Sequence, residues 1–318
     1  MQNRPILLSI ATLFLTLTYL SGTHSGLAAQ PEAASETPPV KTAGPELEES
    51  GEQILRSARK RIRLYSSIRA QIAETVALGD HSFTAKGSYL QGQNLQLRLE
   101  FSLEYGGNQG SLLEICDGQL LWTRHDIAGE VHITRRDVRQ ILDAVQAAGA
   151  PPRQMIIADL GLGGLPGLLA AFDDHVDLDR VVRETIDGRA VTMVEGTWNA
   201  QFRAGFAGKG AKPDQPLPPL VPDLVRIYLD QETEFPRRIA FLKQVPGRKI
   251  HKATLTLDFT KLVLDKPVSE GDFLFVPPDK PTPADVTDLY IQRIRGGGRS
   301  GPAGPPAPAN GSPQSKPD

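Results

Sequence analysis

The chain of 318 residues contains a single cysteine, Cys116, so no intramolecular disulfide can stabilise it. Its 35 basic and 37 acidic side chains nearly cancel, and the lack of a basic excess argues against a nucleic-acid-binding protein. Beyond its first 20 residues or so, it lacks an apolar run near the length of about 20 residues that crosses a bilayer. We therefore expect a soluble mature protein that is stabilised by a hydrophobic core.

The sequence also lacks the motifs of common enzymes and metal sites. It has no Gly-x-Ser-x-Gly nucleophile motif, and no pair of carboxylates is placed for acid–base catalysis. His125 and His132 have no defined third zinc ligand, and the carboxylates around His175 lack the glycine and distant glutamate of a calcium loop. We predict a protein that is not an enzyme and that uses no cofactor and no metal ion.

The glycine-rich stretch DLGLGGLPGLLAAF, residues 159–172, does not fit a phosphate-binding loop. Pro166 stands where a dinucleotide fingerprint needs its third glycine, and no Gly-Lys-Ser/Thr follows. The stretch is instead predicted to be an apolar turn and helix start. It either closes an ordinary core or forms a movable plug over a hydrophobic cavity. Its large apolar residues are Leu160, Leu162, Leu165, Leu168, Leu169 and Phe172.

Composition divides the chain into four parts. The apolar stretch from Ile6 to Leu20, followed by small residues near Ala29, is typical of a cleaved signal peptide over residues 1–29, and a retained anchor is the alternative. Residues 30–50 are predicted to be a disordered linker, and residues 294–318 a disordered tail rich in glycine and proline. Residues 51–293 are the predicted folded domain. We expect an exported protein, periplasmic or associated with the envelope.

The folded domain opens with an amphipathic pattern that predicts a helix over residues 51–76. Its apolar stripe is Ile54, Ala58, Ile62, Tyr65, Ile72 and Val76. Its basic residues are Arg56, Arg59, Lys60, Arg63 and Arg69. This basic face is either solvated or a dock for an acidic partner or anionic lipid headgroups.

Strand patterns follow the first helix. Apolar residues alternate strictly with polar ones from Leu95 to Tyr105, which predicts a long strand with one apolar face. The pair Asp117-Gly118 predicts a hairpin with a two-residue turn, in which Cys116 faces Gln119. One face of this hairpin then carries Leu113, Ile115, Leu120 and Trp122, and the other, more polar face carries Glu114, Cys116, Gln119 and Thr123. On that face we expect Cys116 to be a structural, unreactive thiol.

The second half of the chain alternates between further helix and strand signals. A helix capped by Thr134, with Asp137 three residues on, is predicted to run to Gly149. Asp187-Gly188 predicts another hairpin, and the apolar patterns between residues 224 and 265 predict an antiparallel meander. The apolar phase of its last strand shifts between Phe259 and Leu262, which predicts a bulge.

Two ordered sets of motifs resemble the lipoprotein-carrier superfamily typified by LolA. A strand, an Asp-Gly turn and a Leu-Trp pair come first, and a Phe-x-Phe-x-Pro-Pro segment before Val-x-Asp closes the domain. Here these residues are Asp117, Gly118, Leu121 and Trp122, then Phe273, Phe275, Pro277, Pro278, Val286 and Asp288. The resemblance implies an α+β fold: an antiparallel, incomplete (half-open) β-barrel covered by helices, whose apolar interior shelters acyl chains.

The resemblance implies a function as a carrier or binding protein for a lipid or an acylated lipoprotein. It would be a monomer that exchanges cargo with a membrane-associated donor or acceptor protein. The alternative is a regulatory or interaction module of the envelope that uses the same fold without enzymatic activity. The residues expected to line the lipid cavity are Leu97, Leu99, Phe101, Leu113, Ile115, Trp122, Leu165, Leu168 and Leu169.

Overall fold

A computed structural model describes residues 49–78, 81–105, 108–147, 164–206, 216–218 and 221–295. The predicted signal peptide, nearly all of the linker, the tail beyond Arg295 and the apolar residues Leu160 and Leu162 lie outside these ranges. The described helices are α1 (Gly51–Leu64), α2 (Val138–Ala147), α3 (Gly164–His175), α4 (Ala200–Phe206) and α5 (Thr287–Arg295), with a 3₁₀ turn at Glu270–Phe273.

Twelve strands form one sheet. They are β1 (Ile68–Leu78), β2 (His81–Gln91), β3 (Gln96–Tyr105), β4 (Asn108–Asp117), β5 (Leu120–Ile127), β6 (Glu130–Asp137), β7 (Val176–Ile186), β8 (Arg189–Trp198), β9 (Leu224–Asp230), β10 (Pro236–Gln244), β11 (His251–Leu264) and β12 (Ala284–Asp285). Their order is β12-β6-β5-β4-β3-β2-β1-β11-β10-β9-β8-β7. Every pairing is antiparallel except that of β12 with β6.

The sheet is open. Its order starts at β12 and ends at β7, and these two strands do not pair with each other in the described part of the chain. Few helices accompany the twelve strands, so the predicted α+β fold with an incomplete antiparallel barrel is confirmed.

One side of the sheet, here called the inner face, packs against the helices to form the main core. From the strands it contributes Ile72, Tyr89, Leu97 and Phe101, all less than 10% exposed. α1 and α3 cover this face, since Leu55 and Ile62 of α1 and Leu165, Leu169 and Phe172 of α3 belong to the same buried cluster. Burial of each large apolar side chain contributes about 1.5–3 kcal/mol.

The predicted opening helix is too long. α1 ends at Leu64, and Tyr65 has an extended backbone with φ −67° and ψ 131°. Ile72 and Val76 therefore lie on β1, where alternate residues point to the inner face. Across this boundary, the apolar residues of the helix and those of the following strand happen to fit a single helical spacing.

The predicted start of the second helix is also wrong. Thr134 lies in β6, opposite Thr123 of β5 and Ala284 of β12. α2 begins four residues later at Val138, and the Asp137 carboxylate accepts a hydrogen bond from the Gln140 N–H at 2.9 Å. Asp137 is thus the capping residue, because the pairing of β6 occupies the backbone of Thr134.

The hairpin at Asp117-Gly118 has a longer turn than predicted. The Asp117 carboxylate accepts hydrogen bonds from the N–H groups of Gln119 and Leu120, at 2.7 and 2.8 Å. This shifts the pairing by two residues, so that Cys116 lies opposite Leu121 and not Gln119. A shift of two keeps each side chain on its predicted face.

The face of this hairpin that packs in the main core is the one that carries Cys116, not the one that carries Trp122. Cys116 and Leu121 are both fully buried and belong to the inner-face cluster. Cys116 does share its face with Glu114 and Thr123, as predicted, but that face packs in the core. Burial raises the pKa of the Cys116 thiol to about 11, which agrees with the expected unreactive thiol.

The remaining strand predictions are confirmed. Ile186 lies opposite Arg189, and Asp187 and Gly188 have φ values of 50° and 75°, as a two-residue hairpin turn requires. β9, β10 and β11 form the predicted meander. The pairing of β1 with β11 changes register where Lys261 has φ 50°, between Phe259 and Leu262, at the predicted bulge.

Candidate functional site

A cavity of about 380 Å³ lies at one end of the inner face. It is bounded by the end of α1, the connection between β2 and β3, and the first two turns of α3. Its described lining residues are Arg63, Tyr65, Gln91, Gly92, Gln93, Asn94, Leu95, Gln96, Leu97, Gly164, Pro166, Gly167 and Ala170.

The cavity exists because α3 presents small residues to it. Pro166, Gly167 and Ala170 line the space, whereas Leu165, Leu169 and Phe172 of the same helix belong to the main core. Leu97 of β3 forms part of the apolar lining opposite the helix and is 3% exposed. The apolar side of the cavity is thus continuous with the inner face of the sheet.

The β2–β3 connection supplies a polar rim. Gln91, Gln93, Asn94 and Gln96 bring side-chain amides to the lining. Asn94 and Leu95 have φ values of 54° and 70°. Non-glycine residues uncommonly adopt this left-handed conformation, and two in succession mark a strained turn at the rim.

Both ends of α3 are attached by polar contacts. At its start, the Leu165 N–H donates a 3.1 Å hydrogen bond to the hydroxyl of Tyr89, whose own O–H donates to Gln91. Burial raises the pKa of Tyr89, so the hydroxyl stays protonated. At its other end, Asp173 forms a 2.5 Å ion pair with Arg59 of α1.

A second polar group lies on the inner face, at the β4–β6 end of the sheet. Arg136, 8% exposed, donates to the Thr123 hydroxyl at 2.6 Å and to the Tyr290 hydroxyl of α5 at 3.0 Å. Glu114 lies 3.8 Å from Arg136, and burial raises the pKa of its carboxyl. These contacts join β4, β5 and β6 to α5.

Glu74 is an isolated acid on the inner face. It is 4% exposed and lies between Ala85 of β2 and Leu257 of β11. Its Oε1 has no hydrogen-bond partner among the residues that the structure describes. Burial raises the pKa of Glu74 to about 8, so the carboxyl is mostly protonated at neutral pH.

The predicted cavity residues divide between the two faces of the sheet. Leu97 lines the cavity, and Leu99 and Phe101 share its face. Leu165 and Leu169 of α3 are buried in the main core, and Leu168 is partly buried against that core. Leu113, Ile115 and Trp122 point to the opposite, outer face, so the assumption that they share the cavity is wrong.

The outer-face residues have a cover of their own. The 3₁₀ turn at Glu270–Phe273 packs on β3 and β4, and Phe273 is 1% exposed. The Phe275 ring lies 5.4 Å from the ring of Trp122, centroid to centroid. The Phe-x-Phe segment thus covers this part of the outer face. The apolar pattern of Leu113, Ile115 and Trp122 therefore reflects packing on the outer face and not the lining of the cavity.

The sequence predictions missed the small residues and the isolated acid. Gly167 and Ala170 leave space for the cavity because their side chains are absent or small. Tyr89 positions α3 through its hydrogen bond with Leu165, which lies 76 residues further along the chain. The one available signal was Glu74, a charged residue at an inward position of an alternating strand.

The two histidines considered as zinc ligands lie on adjacent strands. His125 and His132 face each other across β5 and β6. Burial, with Arg136 and His132 adding to it, lowers the pKa of His125 to about 4. No group of three or more potential metal ligands occurs among the described residues.

No family model matches the sequence, and the search of curated proteins found no match. Solved structures do resemble it. MucB is 13% identical at a TM-score of 0.35, with 71% of this chain and 62% of MucB covered. Lipoprotein LppX of Mycobacterium tuberculosis is 14% identical at 0.35, with 69% and 97% covered. A putative outer membrane lipoprotein-sorting protein domain from Vibrio parahaemolyticus is 14% identical at 0.25, with 70% and 95% covered.

These likenesses concern the fold alone. This chain spans less than two thirds of the length of MucB. In the described part of the chain, no helix combines the length and the apolar character needed to cross a membrane.

Proposed function

We propose that the protein is an exported, non-enzymatic binding protein that shelters the acyl chain of a lipid or lipoprotein against its inner face. The observation that carries the proposal is the cavity of about 380 Å³, which has an apolar side at Leu97 and a cover of small residues on α3. Small-molecule sites have volumes of about 300–1,000 Å³ and are mostly apolar with a few polar groups at fixed positions. The volume of the cavity falls within this range, and its lining combines an apolar contact at Leu97 with the side-chain amides of the β2–β3 connection.

α3 is the element that would move to admit a longer chain. Its first turns contain glycine and proline, which are weak helix formers, and its polar attachments lie at its two ends. Between them the helix is held by apolar burial through Leu165 and Leu169. An acyl chain can replace that burial, because each large apolar side chain contributes about 1.5–3 kcal/mol.

The experiment compares two variants of α3 for binding of a fluorescent single-chain fatty acid. Ala170→Phe fills the cavity from the helix side, so we expect probe affinity to fall at least tenfold while the protein stays folded. Asp174→Phe is the matched control, because it places the same ring at an exposed position of the same helix. Its affinity should equal that of the unchanged protein.

Equal loss in both variants would contradict the assignment of the cavity. If the unchanged protein binds no probe, and mass spectrometry finds no lipid on protein from its native envelope, the carrier proposal fails. The alternative, an envelope interaction module of the same fold, would then replace it.

A further inference from the structure

The charge of the cavity lining identifies a class of ligand. Among the described lining residues Arg63 is the only charged one, and the lining contains no acidic residue. Four side-chain amides surround the same opening, and each can donate hydrogen bonds to an oxygen anion. The cavity therefore carries one positive charge and several hydrogen-bond donors, beside the apolar lining at Leu97, Pro166 and Ala170.

Arg63 differs from Arg56 and Arg59 of α1 in its ion pairs. Arg56 and Arg59 both pair with Asp173, and the more distant Arg69 pairs with Asp272. In the described ranges, no carboxylate lies within ion-pair distance of Arg63. Its guanidinium is available to an anion from outside the chain.

The size of the cavity limits the apolar part of the ligand. A volume of about 380 Å³ lies at the low end of the range of about 300–1,000 Å³ for ligand sites. It suits one chain of moderate length better than the two chains of a diacyl lipid.

From this lining we propose that the cavity binds a single-chain amphiphile with an anionic headgroup, a carboxylate or a phosphate monoester, whose charge is held by Arg63 and the amides of the β2–β3 connection. The chain lies along Leu97 beneath Pro166, Gly167 and Ala170. This inference rests on the proposed function and specifies its ligand.

The test measures binding of three probes with the same twelve-carbon chain, dodecanoate, dodecyl phosphate and dodecanol, below their micelle concentrations. We expect both anions to bind the full-length protein about tenfold more tightly than dodecanol. Arg63→Gln should remove most of this preference and leave dodecanol binding unchanged. Lys60→Gln is the matched control, since it removes a neighbouring positive charge of α1 that does not line the cavity, and it should retain the preference.

Further measurements separate the possible outcomes. Excess inorganic phosphate should not displace dodecanoate, since the chain supplies most of the affinity; displacement would assign the site to free phosphate and overturn the proposal. Equal binding of all three probes, unchanged in Arg63→Gln, would also overturn it while leaving the proposed function intact. Binding of none would overturn this proposal, and together with an absence of lipid on protein from its native envelope it would overturn the proposed function as well.

Discussion

At the scale of single residues, Glu74 is the least expected feature of the inner face. A carboxyl that is 4% exposed, with one oxygen lacking a partner among the described residues, disfavours the charged form. Burial raises its pKa to about 8 in the folded protein, from an ordinary value of about 4.5. The folded state therefore keeps a proton that the unfolded state loses, and Glu74 destabilises the fold progressively as the pH rises from about 4.5 to about 8.

Glu74→Gln should remove this dependence. Because the amide does not ionise, we expect the variant to gain about 3 kcal/mol relative to the unchanged protein between pH 5 and pH 8. The measurement is the free energy of unfolding in urea at both pH values. Glu104→Gln, at an exposed position of β3, is the control and should follow the unchanged protein. Parallel curves for all three proteins would show that Glu74 ionises normally.

The two Asp-Gly pairs show where residue patterns stop predicting structure. At Asp187-Gly188 the predicted two-residue turn forms, with both φ values positive. At Asp117-Gly118 the same dipeptide forms a longer turn, because the Asp117 carboxylate accepts hydrogen bonds from the N–H groups of Gln119 and Leu120. The local sequence allows both turns, and contacts with the rest of the fold select between them. The Gln119 carbonyl, for example, accepts the N–H of Val138 at the start of α2.

At the scale of elements, α3 depends on a hydroxyl from the sheet. Tyr89→Phe removes the acceptor of the Leu165 N–H and the donor to Gln91. Leaving a buried polar group without a partner costs about 1–3 kcal/mol. We expect the start of α3 to open more often, so that hydrogen exchange of the Leu165 amide accelerates by a factor of ten or more.

The amide of Ile227, in the fully buried centre of β9, is the internal reference for this exchange. Its rate should change far less than that of Leu165. If both amides accelerate equally, Tyr89 stabilises the whole domain and does not specifically attach α3.

Elements with one clear period were predicted well, and those at a change of period were not. β3 alternates from Gln96 to Tyr105 as its sequence indicates. The boundary between α1 and β1 was missed, because apolar residues on both sides happen to fit a helical spacing. The cavity was only partly predictable. The inward position of Leu97 follows from the alternation of β3, but the space itself depends on small residues of α3, which is distant from β3 in the sequence.

At the scale of the whole molecule, the open sheet has an edge at β7. The register of β7 against β8 shifts between Asp177 and Arg180, and Asp177, Asp179 and Arg183 are exposed. Bulges and charges on an edge strand oppose pairing with a second molecule. These features keep an open barrel from adding strands.

Replacing Asp177, Asp179 and Arg183 together by valine should remove this protection. We expect concentration-dependent dimers or larger assemblies, detected by light scattering and by sedimentation. The same three-residue change to serine removes the charges without raising β-propensity, and it should aggregate less. A valine variant that stays as dispersed as the unchanged protein would show that the charges of β7 have no such role.

The position of β1 sets the order in which the sheet can assemble. β1 lies at the centre, between β2 and β11, and the Ser67 hydroxyl next to it donates to the carbonyl of Lys266, 199 residues along the chain. β1–β6 and β7–β11 are each joined mostly by neighbouring strands, whereas their union requires closing a very long loop. Contacts so distant in sequence slow folding. The two halves of the sheet can therefore form separately, and the seam between β1 and β11 closes only after nearly the whole domain has been synthesised.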